Sequence, residues 1–329
     1  MHAAAGSTST APVAVFELEQ GDLVLSKVTF TVFSDLHHYP GVFKTEAPER
    51  LAAIQKRAVA SGSELILHLG DFCHCPSRSG DIIRQYRDFR IPSYFVLGNH
   101  EFDRDDVQMV LDAYGLPGKY YFFDHGGFRF VMIDENYFRD FPGIYFHYSA
   151  RNYFDHPQSR DWMPPEEIEW LRETVLQSPW PCILCSHGVI EHPAHPGVGC
   201  AEEVREIIRQ SQTLPGRVIL CMNGHYHRSG LDIIDGVPRL DVNSASFNWI
   251  NNPHHLYPEE WYHEYELVGN MIIYRDPVSA VVTIDSQAHT LDIEGVTGAF
   301  VHGVTIEQTD NDPGYRPCTP DMISAHVSF

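Results

Sequence analysis

Gly98-Asn99-His100-Glu101 follows directly on an apolar run, Tyr94-Phe95-Val96-Leu97, and precedes an acidic helix start at Asp103. A strand ending in Gly-Asn-His presents an amide and an imidazole at its carboxyl end, the edge at which open α/β sheets bind ligands. One such tetrapeptide could serve as an ordinary turn. Four further segments stand in the same position, each directly after an apolar run: Asp35-Leu36-His37, Gly70-Asp71, Ser186-His187-Gly188 and Gly224-His225-Tyr226-His227. Parallel strands bring such ends together, so the five segments predict one shared cluster.

Outward from this stretch, the order is regular. Val28 to Phe33 reads as a buried strand, Pro48 to Ala60 as a helix with Leu51, Ile54 and Val59 on one side, and Leu65 to Leu69 as a second strand. Asp81 to Phe89 is expected to be helical, Tyr94 to Leu97 a third strand, and Asp103 to Tyr114 a third helix. Alternating strands and helices predict an α/β fold with a parallel sheet. Upstream, Val13 to Leu18 and Leu23 to Ser26 flank Gln20-Gly21-Asp22 as a hairpin.

After Tyr114 the pattern changes. Tyr120 to Asp124 and Phe128 to Asp134 read as antiparallel strands around Gly126-Gly127. Residues 136–164 carry many aromatics and little periodicity, which suits a functional loop or lid near the site, or a surface insertion with its own apolar cluster. A helix is predicted over Pro165 to Leu176, a strand over Pro181 to Cys185, a helix over Ala201 to Ser211 and a strand over Val218 to Met222. A hairpin from Leu231 to Val242 and strands at Met271 to Tyr274, Ala280 to Ile284 and Thr290 to Ile293 complete residues 1–295 as one domain. The polar, turn-rich residues 296–329 are expected to drape over its surface as a tail.

Composition narrows the function. The 329 residues carry 23 Lys and Arg against 44 Asp and Glu, a formal charge of −21, which argues against duplex nucleic acid as a partner. A phosphate ligand would have to be attracted by something other than side-chain cations. Met1 to Pro12 lacks the basic and apolar regions of a signal peptide, and no stretch is long and apolar enough to span a bilayer, so no membrane association is expected. Seven cysteines without a secretory signal fit the reduced thiols of a cytoplasmic protein. The CxxC spacing of Cys182 and Cys185 falls inside a predicted strand, where packing thiols are expected rather than a redox pair. The oligomeric state is not legible.

Asp35, Asp71, Asn99 and the four histidines 37, 187, 225 and 227 form a mixed oxygen and imidazole set without thiolate. Such a set suits manganese, iron, zinc or cobalt better than calcium or a closed structural zinc site. Seven protein ligands are too many for one ion and suit two that share a carboxylate.

In their order and spacing these residues resemble the calcineurin-like metallophosphoesterase superfamily, whose pattern is D-x-H, G-D, G-N-H-[DE], a lone His and G-H-x-H. The resemblance covers Val28 to Val242, with no motif position missing. It implies two packed mixed β-sheets flanked by helices, an αββα sandwich. It also implies two divalent or trivalent transition-metal ions (Mn, Fe or Zn) and no organic cofactor. Asp35, His37 and His227 would hold the first metal, Asn99, His187 and His225 the second, and Asp71 would bridge both. His100 would face the leaving group as general acid, with a bridging hydroxide as nucleophile and Glu101 and Asp103 orienting it or the metal shell.

Departures from subfamily patterns narrow the choice. The segment Gly70-Asp71-Phe72-Cys73-His74-Cys75 lacks the basic continuation of protein Ser/Thr phosphatases, and His37 and His74 depart from the purple acid phosphatases. What remains is similar to the class III cyclic-nucleotide and phosphodiester-hydrolase branch, which implies a small-molecule phosphodiester as substrate. A phosphomonoesterase or nucleotide pyrophosphatase on the same site is the alternative, and a non-catalytic protein-binding scaffold a further one. Arg78 and Arg104 are the nearby cations, and Tyr39, His74 and Asn243 to Trp249 the candidate pocket walls.

Overall fold

The computed structural model describes residues 26–141, 143–150, 153–154, 159–192, 197–308 and 316–329. The hairpin expected around Gln20-Gly21-Asp22 lies outside the described residues. Strands and helices alternate first as β1 (Lys27–Phe33), α1 (Ala47–Ala60), β2 (Leu65–Leu69), α2 (Gly80–Arg87), β3 (Ser93–Val96) and α3 (Val107–Tyr114). Two antiparallel hairpins follow, β4 (Tyr121–His125) with β5 (Phe128–Met132) and β6 (Tyr137–Asp140) with β7 (Ile144–His147). The chain continues through α4 (Pro165–Leu176), β8 (Cys182–Cys185), α5 (Ala201–Ser211), β9 (Val218–Asn223), β10 (Gly230–Ile234) and β11 (Val237–Asp241). It ends with β12 (Phe247–Trp249), α6 (Glu259–Glu264), β13 (Met271–Ile273), β14 (Ala280–Asp285), β15 (Thr290–Gly295) and β16 (Ala325–Ser328).

Two mixed sheets of six strands result, in the orders β16-β15-β14-β1-β2-β3 and β10-β11-β9-β8-β5-β4. The parallel strands β1, β2 and β3 continue into antiparallel β14 on one side. In the second sheet β5, β8, β9 and β11 run parallel, with antiparallel β4 and β10 at the edges. The inner faces pack together through Val28, Phe30, Leu67, Phe130, Ile183 and Leu220. Helices α1, α2 and α3 cover the outer face of the first sheet through Leu51, Ile83 and Val110, and α4 and α5 cover that of the second through Leu171 and Ile207. The expected αββα sandwich is therefore the observed fold. No described helix is long and apolar enough to cross a membrane.

Three local expectations differ. Helix α3 begins at Val107, not Asp103, because the Asp106 carboxylate accepts the Met109 amide at 2.9 Å and so starts the helix one turn later. His100–Phe102 forms a separate 3₁₀ turn. The aromatic insertion is not structureless: Tyr137–Asp140 and Ile144–His147 pair as a hairpin. The carboxyl-terminal tail does not simply drape over the surface, since β16 adds to β15 as an edge strand and Met322 and Cys318 are buried. Ala325 and Val327 alternate with polar, exposed His326 and Ser328, the period-two pattern of an edge strand with one half-buried side.

Candidate metal centre

All seven predicted ligand residues come together beyond the carboxyl ends of β1, β2, β3, β8 and β9, and they form two adjoining groups. In the first, His227 Nε2 lies 3.2 Å from Asp35 Oδ1 and 3.0 Å from His37 Nε2. In the second, His187 Nε2 lies 3.1 Å from Asp71 Oδ2, 3.2 Å from Asn99 Oδ1 and 3.1 Å from His225 Nδ1. Asp71 Oδ2 also lies 3.9 Å from His37 Nε2, so one oxygen adjoins both groups.

Extended-strand alternation is not what aims these side chains. Asp35, His37, Asp71, His225 and His227 all adopt left-handed backbone angles, with φ of 53°, 51°, 59°, 69° and 51°. Non-glycine residues held there cost about 1–3 kcal/mol each and cluster at functional sites. Tertiary bonds hold them in place. The Asp35 and His37 amides donate to Gly70 and Asp71 carbonyls at 3.0 and 2.9 Å, and the Ser244 and Ser246 hydroxyls donate to the Asp35 carbonyl. Gly98 is required by close approach, because a Cβ there would lie 2.5 Å from the Asp71 amide nitrogen.

Each carboxylate is half committed to the backbone and half available. Asp71 Oδ1 accepts the His100 amide at 2.9 Å, leaving Oδ2 toward the two groups. Asp35 Oδ2 accepts the His225 amide at 3.0 Å, while its buried Oδ1 has no hydrogen-bond partner among the described residues. The far nitrogens of two rings are anchored, His187 Nδ1 on the Leu69 carbonyl at 2.8 Å and His227 Nδ1 on the Phe247 carbonyl at 2.7 Å. These are the outer contacts that metal-binding histidines use.

Electrostatics agree with a cation site. Burial pushes the His37 imidazole down to about 3, and burial with neighbouring His187 pushes His225 down to about 4, so both rings are neutral donors at pH 7. Burial alone would raise the Asp71 and Asp35 carboxyls. His187 beside Asp71 and His227 beside Asp35 outweigh it and hold both well below the usual carboxylate range. His187 is itself pushed well above its ordinary value, against burial, by Asp71. The donor atoms, the unpartnered Asp35 oxygen and the neutral imidazoles therefore fit transition-metal ions.

A family model described as calcineurin-like phosphoesterase matches residues 28–229, the span that holds all seven residues. The chain belongs to this family. It is a metal-dependent phosphoric ester hydrolase. Among solved structures, a dimetal phosphatase from Danio rerio is 14% identical with a TM-score of 0.55, covering 83% of this chain and 98% of that one. GAP50, the anchor in the inner membrane complex of Plasmodium, is 10% identical with a TM-score of 0.52, covering 82% and 84%. At such identities both likenesses show the fold alone. A search of curated proteins finds no match.

Beside the centre of this phosphoesterase opens a cleft of about 780 Å³, lined by Tyr39, Asn99, Phe102, Tyr148, Tyr153 and Phe154 and by Asp103, Arg104, Asp105 and Asp106. Tyr39 and Arg104 thus meet the cleft, whereas Arg78 lines a separate, smaller one. Phe247 and Trp249 pack on the His37 and His227 rings, while Asn243 bonds the carbonyls of Thr319 and Asp321 and has a structural role. Cys182 and Cys185 are free, buried strand residues.

The His100 ring packs edge-on against His37, at a centroid distance of 5.3 Å, and forms no hydrogen bond to the seven donor residues. Its Nδ1 lies 2.8 Å from Asp103 Oδ2, since the 3₁₀ turn sets residues i and i+3 on one side. Burial works against a charged His100 ring, but Asp71 and Asp103 outweigh it and raise its pKa to about 9. Glu101 does not reach His100. It accepts the amides of Asp71, Phe72 and Gly98 instead. Two further residues went unread in the sequence. Tyr153 places its hydroxyl 3.4 Å from His225 Nε2, and Glu135 accepts the Gly188 amide beside His187. Tyr153 belongs to the aromatic stretch 136–164 expected near the site, whereas Glu135 lies near no motif and local spacing holds no signal for it.

Proposed function

We propose that the protein is a dinuclear phosphodiesterase acting on a small-molecule phosphate ester. The observation that carries this reading is the meeting of two donor groups at Asp71 Oδ2, beside one cleft. In this reading Asp35, His37 and His227 hold one ion, Asn99, His187 and His225 the other, and Asp71 serves both. Manganese, iron or zinc suits the nitrogen and oxygen donors. Ions bound there polarise phosphoryl oxygens and acidify the attacking water.

The chain's own residues supply the rest. His100, protonated at neutral pH, donates a proton to the departing ester oxygen, and Asp103 holds its Nδ1–H and leaves Nε2 for that transfer. Tyr39, Phe102, Tyr153 and Phe154 offer apolar walls to an ester substituent. Arg104 is the one cation among the described lining residues, against Asp103, Asp105 and Asp106. A monoester dianion would find little countercharge in this cleft, whereas the uncharged second substituent of a diester suits its aromatic walls. The free cysteines support a reducing compartment, the cytoplasm.

The test is hydrolysis of bis-p-nitrophenyl phosphate and p-nitrophenyl phosphate by protein loaded with manganese, iron or zinc. Faster turnover of the diester, lost on chelation and restored by metal, is the expected result. Preference for the monoester would favour the phosphomonoesterase alternative. No turnover of either ester or of a nucleotide pyrophosphate by the loaded protein would overturn the reading.

A further inference from the structure

His74 takes no part in the donor set, yet both its ring nitrogens are engaged. Nε2 lies 2.8 Å from His37 Nδ1, and Nδ1 lies 2.8 Å from Asp103 Oδ2. The same Asp103 oxygen lies 2.8 Å from His100 Nδ1. Four side chains therefore form one line of hydrogen bonds from His37 to His100. The His74 ring is 2% exposed and wedged among Tyr39, Phe43 and His100, at centroid distances of 5.1, 4.8 and 4.3 Å.

The protons along this line have a forced order. A ring that offers Nε2 to a metal keeps its proton on Nδ1. His187 and His227 send their Nδ1 protons to backbone carbonyls, but His37 sends its own to another imidazole. His74 Nε2 is then the acceptor, so the single His74 proton sits on Nδ1 and goes to Asp103. A carboxylate only accepts. Asp103 Oδ2 therefore takes the Nδ1 proton of His100 as well, which leaves His100 Nε2 to carry the proton that is transferred.

We propose that His74 is a positioning residue: held by His37, it fixes the Asp103 carboxylate so that His100 keeps its Nδ1–H on Asp103 and presents Nε2–H to the leaving oxygen. The proposal rests on the phosphodiesterase reading above and deepens it. Two substitutions separate a relay from mere packing. His74→Phe keeps an aromatic ring among Tyr39, Phe43 and His100 but removes both bonds. His74→Gln breaks the ring packing, yet its amide offers an acceptor to His37 and a donor to Asp103.

A relay predicts that His74→Phe lowers kcat on an alkyl phosphodiester by about 10–100-fold, the usual scale for an outer partner of a metal ligand, with KM unchanged. His74→Gln should retain most of the activity. A second readout needs no substrate. In zinc-loaded protein with ¹⁵N-labelled histidine, the His100 Nδ1–H resonance should be present in the wild type and in His74→Gln and lost to exchange in His74→Phe. Retention of that resonance and of kcat in His74→Phe would overturn the relay, as would equal impairment in both variants. If the wild type hydrolyses no phosphate ester, the phosphodiesterase reading fails, and the resonance pattern still decides the relay.

Discussion

Glu101 Oε2 accepts the backbone amide of Asp71 at 3.0 Å, and this bond ties the loop after β2 to the loop after β3. The same carboxylate accepts Phe72 and Gly98 amides at 2.6 and 2.8 Å and the Tyr114 hydroxyl at 3.0 Å. The acid of the Gly-Asn-His-Glu stretch therefore holds Asp71 in place, and has no direct contact with His100. Glu101→Ala would leave three buried amides without acceptors, at roughly 1–3 kcal/mol for each. A loss of about 3 kcal/mol or more in unfolding free energy is expected from urea titration. Metal content should fall with it. An Ala variant unfolding at the wild-type midpoint would rule out this tying role.

Asp71 Oδ2 lies 3.1 Å from His187 Nε2 and 3.9 Å from His37 Nε2, whereas Asn99 Oδ1 adjoins His187 alone of the two. Elemental analysis after loading should thus find two ions per wild-type chain. Asp71→Asn should lower the occupancy of both, and Asn99→Ala mainly that of one. Full occupancy and full activity in Asp71→Asn would refute the bridging assignment.

His187 sets the pH dependence of metal uptake. Burial disfavours its charged form, but Asp71 outweighs burial and pushes the imidazole well above its ordinary value near 6.5. Below that raised value the ring carries a proton on the metal-free site, and the proton must leave before Nε2 can bind. Uptake should therefore release protons, and apparent affinity should weaken as pH falls. Calorimetry in two buffers of different ionisation enthalpy measures the release directly. Affinity unchanged between mildly acidic and alkaline pH would contradict the competition.

The five motif segments and the strands that carry them were legible because both signals are local. An apolar run such as Tyr94 to Leu97 marks a strand, and the polar residues just past it mark the sheet edge. Non-local causes were not legible. The left-handed angles of Asp35 and His37 depend on amide bonds to Gly70 and Asp71, and on serine hydroxyls some 200 residues away in sequence. The role of Glu101 depends on where the loop after β2 passes, which spacing does not encode. Strand β16 is short and half polar, so its pairing with β15 emerges only when the first sheet exposes an edge. Within residues 136–164, Tyr137–Asp140 and Ile144–His147 lack clean apolar alternation, and their pairing across the turn was hidden.

The ring of His100 tests the chemistry separately from the metal. Its backbone amide donates to Asp71 Oδ1, while its ring meets Asp103 through Nδ1 and packs edge-on against His37. His100→Ala keeps the amide bond and should keep both ions, while kcat on an alkyl ester falls by roughly 10²–10⁴-fold, the scale of a lost general acid. An aryl ester with a good leaving group needs little protonation and should be less impaired. Asp71 and Asp103 raise the ring to about 9 despite burial, so it stays protonated at neutral pH. The wild-type rate on the alkyl ester should decline on the alkaline side as His100 loses its proton, and that limb should be shallow on the aryl ester and absent in His100→Ala. Equal losses on both esters would assign His100 to charge stabilisation, and loss of an ion from the variant would make it a ligand.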